Sequence, residues 1–160
     1  RSVVPLKYHT CSVYNKSISN ETDDDHYRIH ALRISNTGSG NFATAASSNK
    51  DQTPLVMLHG YMNGAAYFYR NFPGLSRHFP RIYSLDLLGW GLSSRPKFAL
   101  IDDKSVKTAE DFFVESLEAW RSRNDIDRMI LAGHSMGGYV SVAYCGELVV
   151  ALCERVGPSL

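Results

Sequence analysis

At 160 residues, 44% of them apolar and 21% charged, the chain has the size and composition of one globular domain with a real core. Seventeen Lys and Arg against sixteen Asp and Glu leave a formal net charge of +1, which gives no electrostatic case for nucleic acid. No Lys/Arg-rich run suggests an anionic membrane surface, and no apolar stretch approaches the roughly 18 residues that span a bilayer, so any membrane contact is expected to be peripheral.

Residues 1–25 are weakly patterned. Asn15-Lys16-Ser17 and Asn20-Glu21-Thr22 match the N-glycosylation triplet, but such triplets arise often by chance and no signal peptide is visible. Asp23-Asp24-Asp25 reads as a solvated acidic turn, since no further oxygen ligands follow at calcium-loop spacing. Residues 26–145 carry the α/β pattern. His26 to Ile34 alternates as an early strand, and the small, polar stretch 35–53 reads as a long flexible loop. Leu55-Val56-Met57-Leu58 is a continuous apolar run, the signature of a central parallel strand, and it enters a turn at His59-Gly60. Ala65 to about His78 reads as helical with an interruption at Pro73-Gly74, and Arg81 to Leu87 as a second strand. Val106, Ala109, Phe112, Phe113, Leu117 and Trp120 fall three or four apart, giving an amphipathic helix, with Thr108 and Asp111 resembling a capping box near its start. Alternating strands and helices are the grammar of a doubly wound parallel sheet.

The most informative segment is Gly133-His134-Ser135-Met136-Gly137. It stands between a short apolar run, Met129 to Ala132, and a helical stretch from Gly138 to Cys145. Strand, tight turn with glycines two positions either side of a serine, then helix is the nucleophile-elbow arrangement. The turn strains the serine backbone, and side chains at Gly133 or Gly137 would collide with the neighbouring strand and helix. The serine is lifted out at the carboxyl end of the sheet, where the helix directs its free N–H groups at an oxyanion. Serine acylation chemistry is therefore the leading expectation, with Ser135 as nucleophile.

Acyl transfer needs two backbone donors for the tetrahedral oxyanion. Met136 supplies one, and Tyr61, or alternatively Met62, is placed in the His59-Gly60 turn to supply the other. His59 invites a catalytic reading, but its place inside the first loop favours turn stabilisation. Asp86 in Asp86-Leu87-Leu88-Gly89-Trp90-Gly91 suits a loop brace better than a catalytic acid. His134, within the elbow, is expected to pack or hydrogen-bond locally. Cys11, Cys145 and Cys153 show neither metal spacing nor a C-x-x-C pair and read as reduced structural cysteines of an intracellular protein, the last two buried in the apolar stretch after the elbow.

His59-Gly60, Asp86-x-x-Gly89-x-Gly91-x-Ser93-Ser94-Arg95-Pro96, the Phe112 to Trp120 helix and Gly133-His134-Ser135-Met136-Gly137-Gly138 together resemble the α/β-hydrolase superfamily. The stretch around Trp90, Asn71-Phe72 and Glu115 to Trp120 resemble its lipid-acting branch, which includes a lipid-droplet co-activator of adipose triglyceride lipase, lysophospholipases and cardiolipin-specific phospholipases. The resemblance implies a mostly parallel sheet with helices on both faces, and a serine hydrolase acting on lipid acyl esters with no cofactor or metal. It implies an intracellular location, cytoplasmic or peripheral to membranes or lipid droplets, with mitochondria as another reading. A non-catalytic lipid-droplet co-activator and a lysophosphatidic acid acyltransferase are the alternatives. Some co-activators of this kind carry asparagine at the nucleophile position, so Ser135 favours a hydrolase. The His-x-x-x-x-Asp signature of the acyltransferase is met by none of the six histidines.

In this fold the triad follows the order Ser, Asp or Glu, His, and neither histidine nor aspartate occurs after Ser135. Glu147 and Glu154 come too soon to reach back above the sheet. Residues 146–160 are expected to form an atypical tail, with Gly146 interrupting the helix, and the chain to be a C-terminally truncated hydrolase that is inactive by itself.

Overall fold

The computed structural model describes residues 6–15, 27–36, 53–96 and 105–155. Five strands form one open sheet: β1 (Leu6–Asn15), β2 (Tyr27–Asn36), β3 (Leu55–Leu58), β4 (Ile82–Leu85) and β5 (Ile130–Gly133). Their spatial order is β1-β2-β4-β3-β5. β3 pairs in parallel with β4 and with β5, aligning Leu58 with Leu85 and Gly133. β1 and β2 pair antiparallel and extend the sheet on the β4 side.

β3 is apolar throughout because it lies between β4 and β5 with both faces covered, and all four of its residues are buried. Its period of two divides the core. Leu55 and Met57 join Ile34, Ile82, Phe68 and Phe72 on one face, under a 3-10 turn at Ala65–Phe68 and the short helix α1 (Phe72–Leu75). Val56 and Leu58 join Tyr83, Leu85, Leu117, Trp120, Val140 and Tyr144 on the other, under α2 (Val106–Arg123) and α3 (Met136–Arg155). The α2 stripe works as its spacing indicates at Leu117 and Trp120, which are fully buried, whereas Val106 at the first turn is exposed.

Several expectations need correction. The weakly patterned segment 1–25 contains β1, whose sequence mixes polar and apolar residues without a clear period of two. The early strand runs to Asn36, two residues into the stretch read as loop, and residues 37–52 of that loop lie outside the described residues, as does the Asp23-Asp24-Asp25 turn. Pro73 stands in the first turn of α1, where its missing N–H costs no hydrogen bond, and the break in the helical stretch precedes it at residues 69–71. The cap of α2 is Ser105, whose hydroxyl accepts the Thr108 N–H at 3.2 Å, while Asp111 pairs with Lys107 at 2.6 Å. Gly146 does not interrupt α3, which continues to Arg155 and carries both Glu147 and Glu154. Cys145 is free and exposed rather than buried. Cys11 and Cys153 have no side chain among the described positions.

Candidate functional site

The turn between β5 and α3 holds Ser135 at φ +53°, in the left-handed region that a non-glycine residue adopts at a cost of about 1–3 kcal/mol. Backbone hydrogen bonds over-determine it. The His134 N–H donates to the Leu58 carbonyl (3.0 Å), the Gly137 N–H to His134 (3.0 Å) and the Tyr139 N–H to Ser135 (3.0 Å). The flanking glycines are sterically required: a Cβ on Gly133 would overlap the Gly137 backbone, and one on Gly137 would overlap the Leu58 and His59 carbonyls. Ser135 itself is exposed at the head of α3.

The turn after β3 lies against this elbow. An ideal Cβ on Gly60 would stand 2.9 Å from His134 Nδ1 and 3.2 Å from Ser135 Cβ, so a larger residue there would push the His134 ring and Ser135 aside. The Asn63 N–H closes the turn on the Gly60 carbonyl (3.2 Å), and Met62 takes the left-handed conformation, φ +56°. The Tyr61 and Met136 N–H groups donate to no carbonyl among the described residues. Met136 opens α3, where the first amides have no intrahelical acceptor.

His59 stabilises the turn. Its Nε2 accepts the Leu87 N–H (3.0 Å), which places the proton on Nδ1, and Nδ1 donates to the Gly60 carbonyl (2.7 Å). Both nitrogens are committed and the ring is fully buried. Asp86 is a loop brace with three partners. Its Oδ1 accepts the Ala65 N–H (2.5 Å), and its Oδ2 accepts the Leu92 N–H (3.0 Å) and His30 Nδ1 (2.7 Å). One buried carboxylate thus joins β2, the 3-10 turn and the loop after β4. Gly91, at φ +54°, leaves no room for a side chain beside it. His134 stacks on Tyr67 with ring centroids 5.0 Å apart. Among the described residues no imidazole is hydrogen-bonded to Ser135.

Two participants escape sequence reading. His30 sits in an alternating strand with nothing to mark it, and it meets Asp86 only through the strand order. Trp90 packs edge-on against Tyr61 (5.8 Å) and His59 (6.3 Å) and tilts against Phe113 (6.0 Å), holding the turn after β3 to α2. The dense Gly-Trp-Gly spacing signals a tight loop but not the ring's partners.

Polar contacts tie α2 and α3 together. Glu118 accepts two bonds from Arg121 (2.6 and 2.7 Å) and one from the Tyr144 hydroxyl, and Glu110 accepts the Tyr139 hydroxyl. The Arg121 guanidinium holds the Glu118 carboxyl below its ordinary range, with Tyr144 adding to the effect against partial burial. Burial and the Glu118 carboxylate both push the Tyr144 phenol upward. The bond to Glu110 raises Tyr139.

Residues 53–154 match the family described as alpha/beta hydrolase fold. Over 118 residues the chain is 42% identical to the 1-acylglycerol-3-phosphate O-acyltransferase ABHD5 of Rattus norvegicus, covering 74% of this chain and 32% of that protein. It is 43% identical over 101 residues to the (lyso)-N-acylphosphatidylethanolamine lipase of Mus musculus, covering 63% and 28%. The chain spans about a third of the length of these curated relatives. Among solved structures it resembles the 2-hydroxy-6-oxo-6-phenylhexa-2,4-dienoate hydrolase of Rhodococcus sp. strain RHA1, with TM-score 0.64, 20% identity, and 89% of this chain matched to 43% of that one. Cfl2 of Burkholderia cenocepacia matches with TM-score 0.61 at 21% identity, over 89% of this chain and 37% of that one. The elbow, the glycine-lined turn against it and these similarities agree: the chain belongs to the α/β-hydrolase family.

Proposed function

We propose that this chain carries the nucleophile and the oxyanion loop of a serine-dependent enzyme that acts on lipid acyl esters of the phospholipid, lysophospholipid or triacylglycerol type. The observation that carries the reading is Ser135, strained and exposed at the head of α3, with the turn at Gly60 packed against it and the Tyr61 and Met136 amides donating to no carbonyl among the described residues. In the reaction Ser135 Oγ attacks the ester carbonyl and its proton passes to a general base. The two amides hold the oxyanion, and the alcohol leaves with a proton as the carbonyl reforms. Water then attacks the acyl-serine to release the fatty acid. Among the described residues no imidazole is hydrogen-bonded to Ser135, and this reading requires a base and an acid partner other than those described. The exposed Tyr61, Met62 and Leu92 on the same loops support action at a membrane or lipid-droplet surface.

Acyl transfer is the second reading, favoured by the activity for which the rat relative is named. It shares the acyl-serine and replaces water by the hydroxyl of a lysophosphatidate.

Hydrolysis of a short 4-nitrophenyl ester by the chain and by Ser135→Ala, with and without added imidazole, tests the proposal. The two are expected to be equal without imidazole and to separate when it supplies the base. Equal rates at every imidazole concentration in folded protein would favour a non-catalytic co-activator.

A further inference from the structure

We propose that the apolar groove between the first turns of α2 and α3 seats the acyl chain of the lipid ester, an inference that rests on Ser135 being the acyl nucleophile. The groove has a volume of about 160 Å³, and its walls include Val106, Ala109 and Phe113 from α2 and Met136, Tyr139 and Val140 from α3. It begins within one helical turn of Ser135: Met136 is the next residue, and Tyr139 holds the Ser135 carbonyl through its N–H. An alkyl chain leaving an ester carbonyl at Ser135 therefore meets apolar wall at once.

The chemistry of the lining selects this occupant. Among the described residues Glu110 is the charged member of the lining, and its carboxylate is engaged by the Tyr139 hydroxyl. Among the described residues no cation lines the groove to receive a phosphate headgroup. Val106 and Tyr139 are left 67% and 53% exposed, apolar surface that a hydrocarbon chain would remove from water. An apolar cavity of about 150 Å³ takes a benzene-sized guest, so this one accommodates roughly six carbons. Each buried methylene should tighten binding about fourfold until that length is reached, with little gain beyond it.

The test is photolysis of a decanoic acid carrying a diazirine on its distal half, bound to the 160-residue chain, with the adducts mapped by mass spectrometry. Adducts are expected on Val106, Glu110, Met136, Tyr139 and Val140, and unlabelled acids from four to ten carbons should compete with the expected length dependence and plateau. Val106→Glu places a charge at the groove mouth on an exposed first-turn position, where an acid suits the helix dipole. It should reduce the adducts at least tenfold with an unchanged circular dichroism spectrum. Adducts confined to Leu88, Trp90 and Phe112 of the adjoining cavity, which shares Ala109 and Phe113 with the groove, adducts indifferent to Val106→Glu, or none at all would overturn the proposal. Binding needs no reaction at Ser135, so groove adducts on a chain whose Ser135 proves unreactive would refute the catalytic reading alone, and adducts elsewhere on a reactive chain would refute the groove alone.

Discussion

Gly137 packs so closely on Leu58 that a methyl group on its α-carbon would overlap the Leu58 carbonyl oxygen. The close approach seats the head of α3 on the end of β3, and the elbow depends on it. Gly137→Ala should therefore cost about 1–3 kcal/mol or more, since backbone rather than a flexible side chain would have to move. Gly146→Ala is the contrasting variant. Gly146 is inside α3 with nothing within 4 Å of its absent Cβ, and alanine there should stabilise by about 0.5–1 kcal/mol. Urea denaturation of both variants checks the opposite signs.

Asp86 and His30 form a buried pair 2.7 Å apart that also anchors two loop amides. Removing one partner leaves the other buried and unpaired, so Asp86→Ala should destabilise by about 3–5 kcal/mol. Because the two side chains touch, the double variant with His30→Ala should cost less than the sum of the singles, by roughly 0.5–3 kcal/mol. Additive losses in a double-mutant cycle would show that Asp86 acts through the loop amides alone.

The Glu118 carboxyl is depressed in the folded state, chiefly by Arg121, from the ordinary value of 4.5. A depressed acid contributes stability that is fully present above its unfolded pKa and is lost as pH falls through the folded pKa. Stability should therefore decline as pH falls below about 4.5, and Glu118→Gln should flatten that part of the profile. With the Glu118 side chain 40% exposed, solvent screening holds the effect to about 1 kcal/mol or less. Denaturation midpoints of both proteins between pH 3 and 7 measure it.

β5 pairs with β3 on one side and with no strand on the other among the described residues, and Ile130 is 46% exposed. An exposed apolar edge strand templates pairing between chains. The 160-residue chain should self-associate, and Ile130→Lys should lower its light scattering at equal concentration. A sharp thermal transition from a soluble monomer of the parent chain would contradict this.

The elbow, the paired turns and the bracing roles of His59 and Asp86 were legible because local spacing carries them: glycine where turns meet, a continuous apolar run where a strand has two covered faces. What long-range register decides was not. His30 reaches Asp86 across 56 residues because β2 lies beside β4, and no local pattern around His30 announces that neighbour. Trp90 is similar, its three ring partners coming from the turn after β3 and a distant helix. Gly146 misled because a single helical glycine costs only about 1 kcal/mol against alanine, less than a long apolar helix recovers by packing. Cys145 misled because the apolar composition around it does not say which side of α3 meets the sheet.

The central claim is the proposal that Ser135 is the acyl nucleophile, with no imidazole hydrogen-bonded to it among the described residues. The most direct measurement is mass-spectrometric mapping of the adduct formed by an alkyl fluorophosphonate on the chain in the presence of imidazole. The account expects one phosphonyl adduct, on Ser135, forming faster as imidazole increases and absent from Ser135→Ala. An unmodified Ser135 in folded protein at high imidazole, or an adduct on another residue, would contradict it.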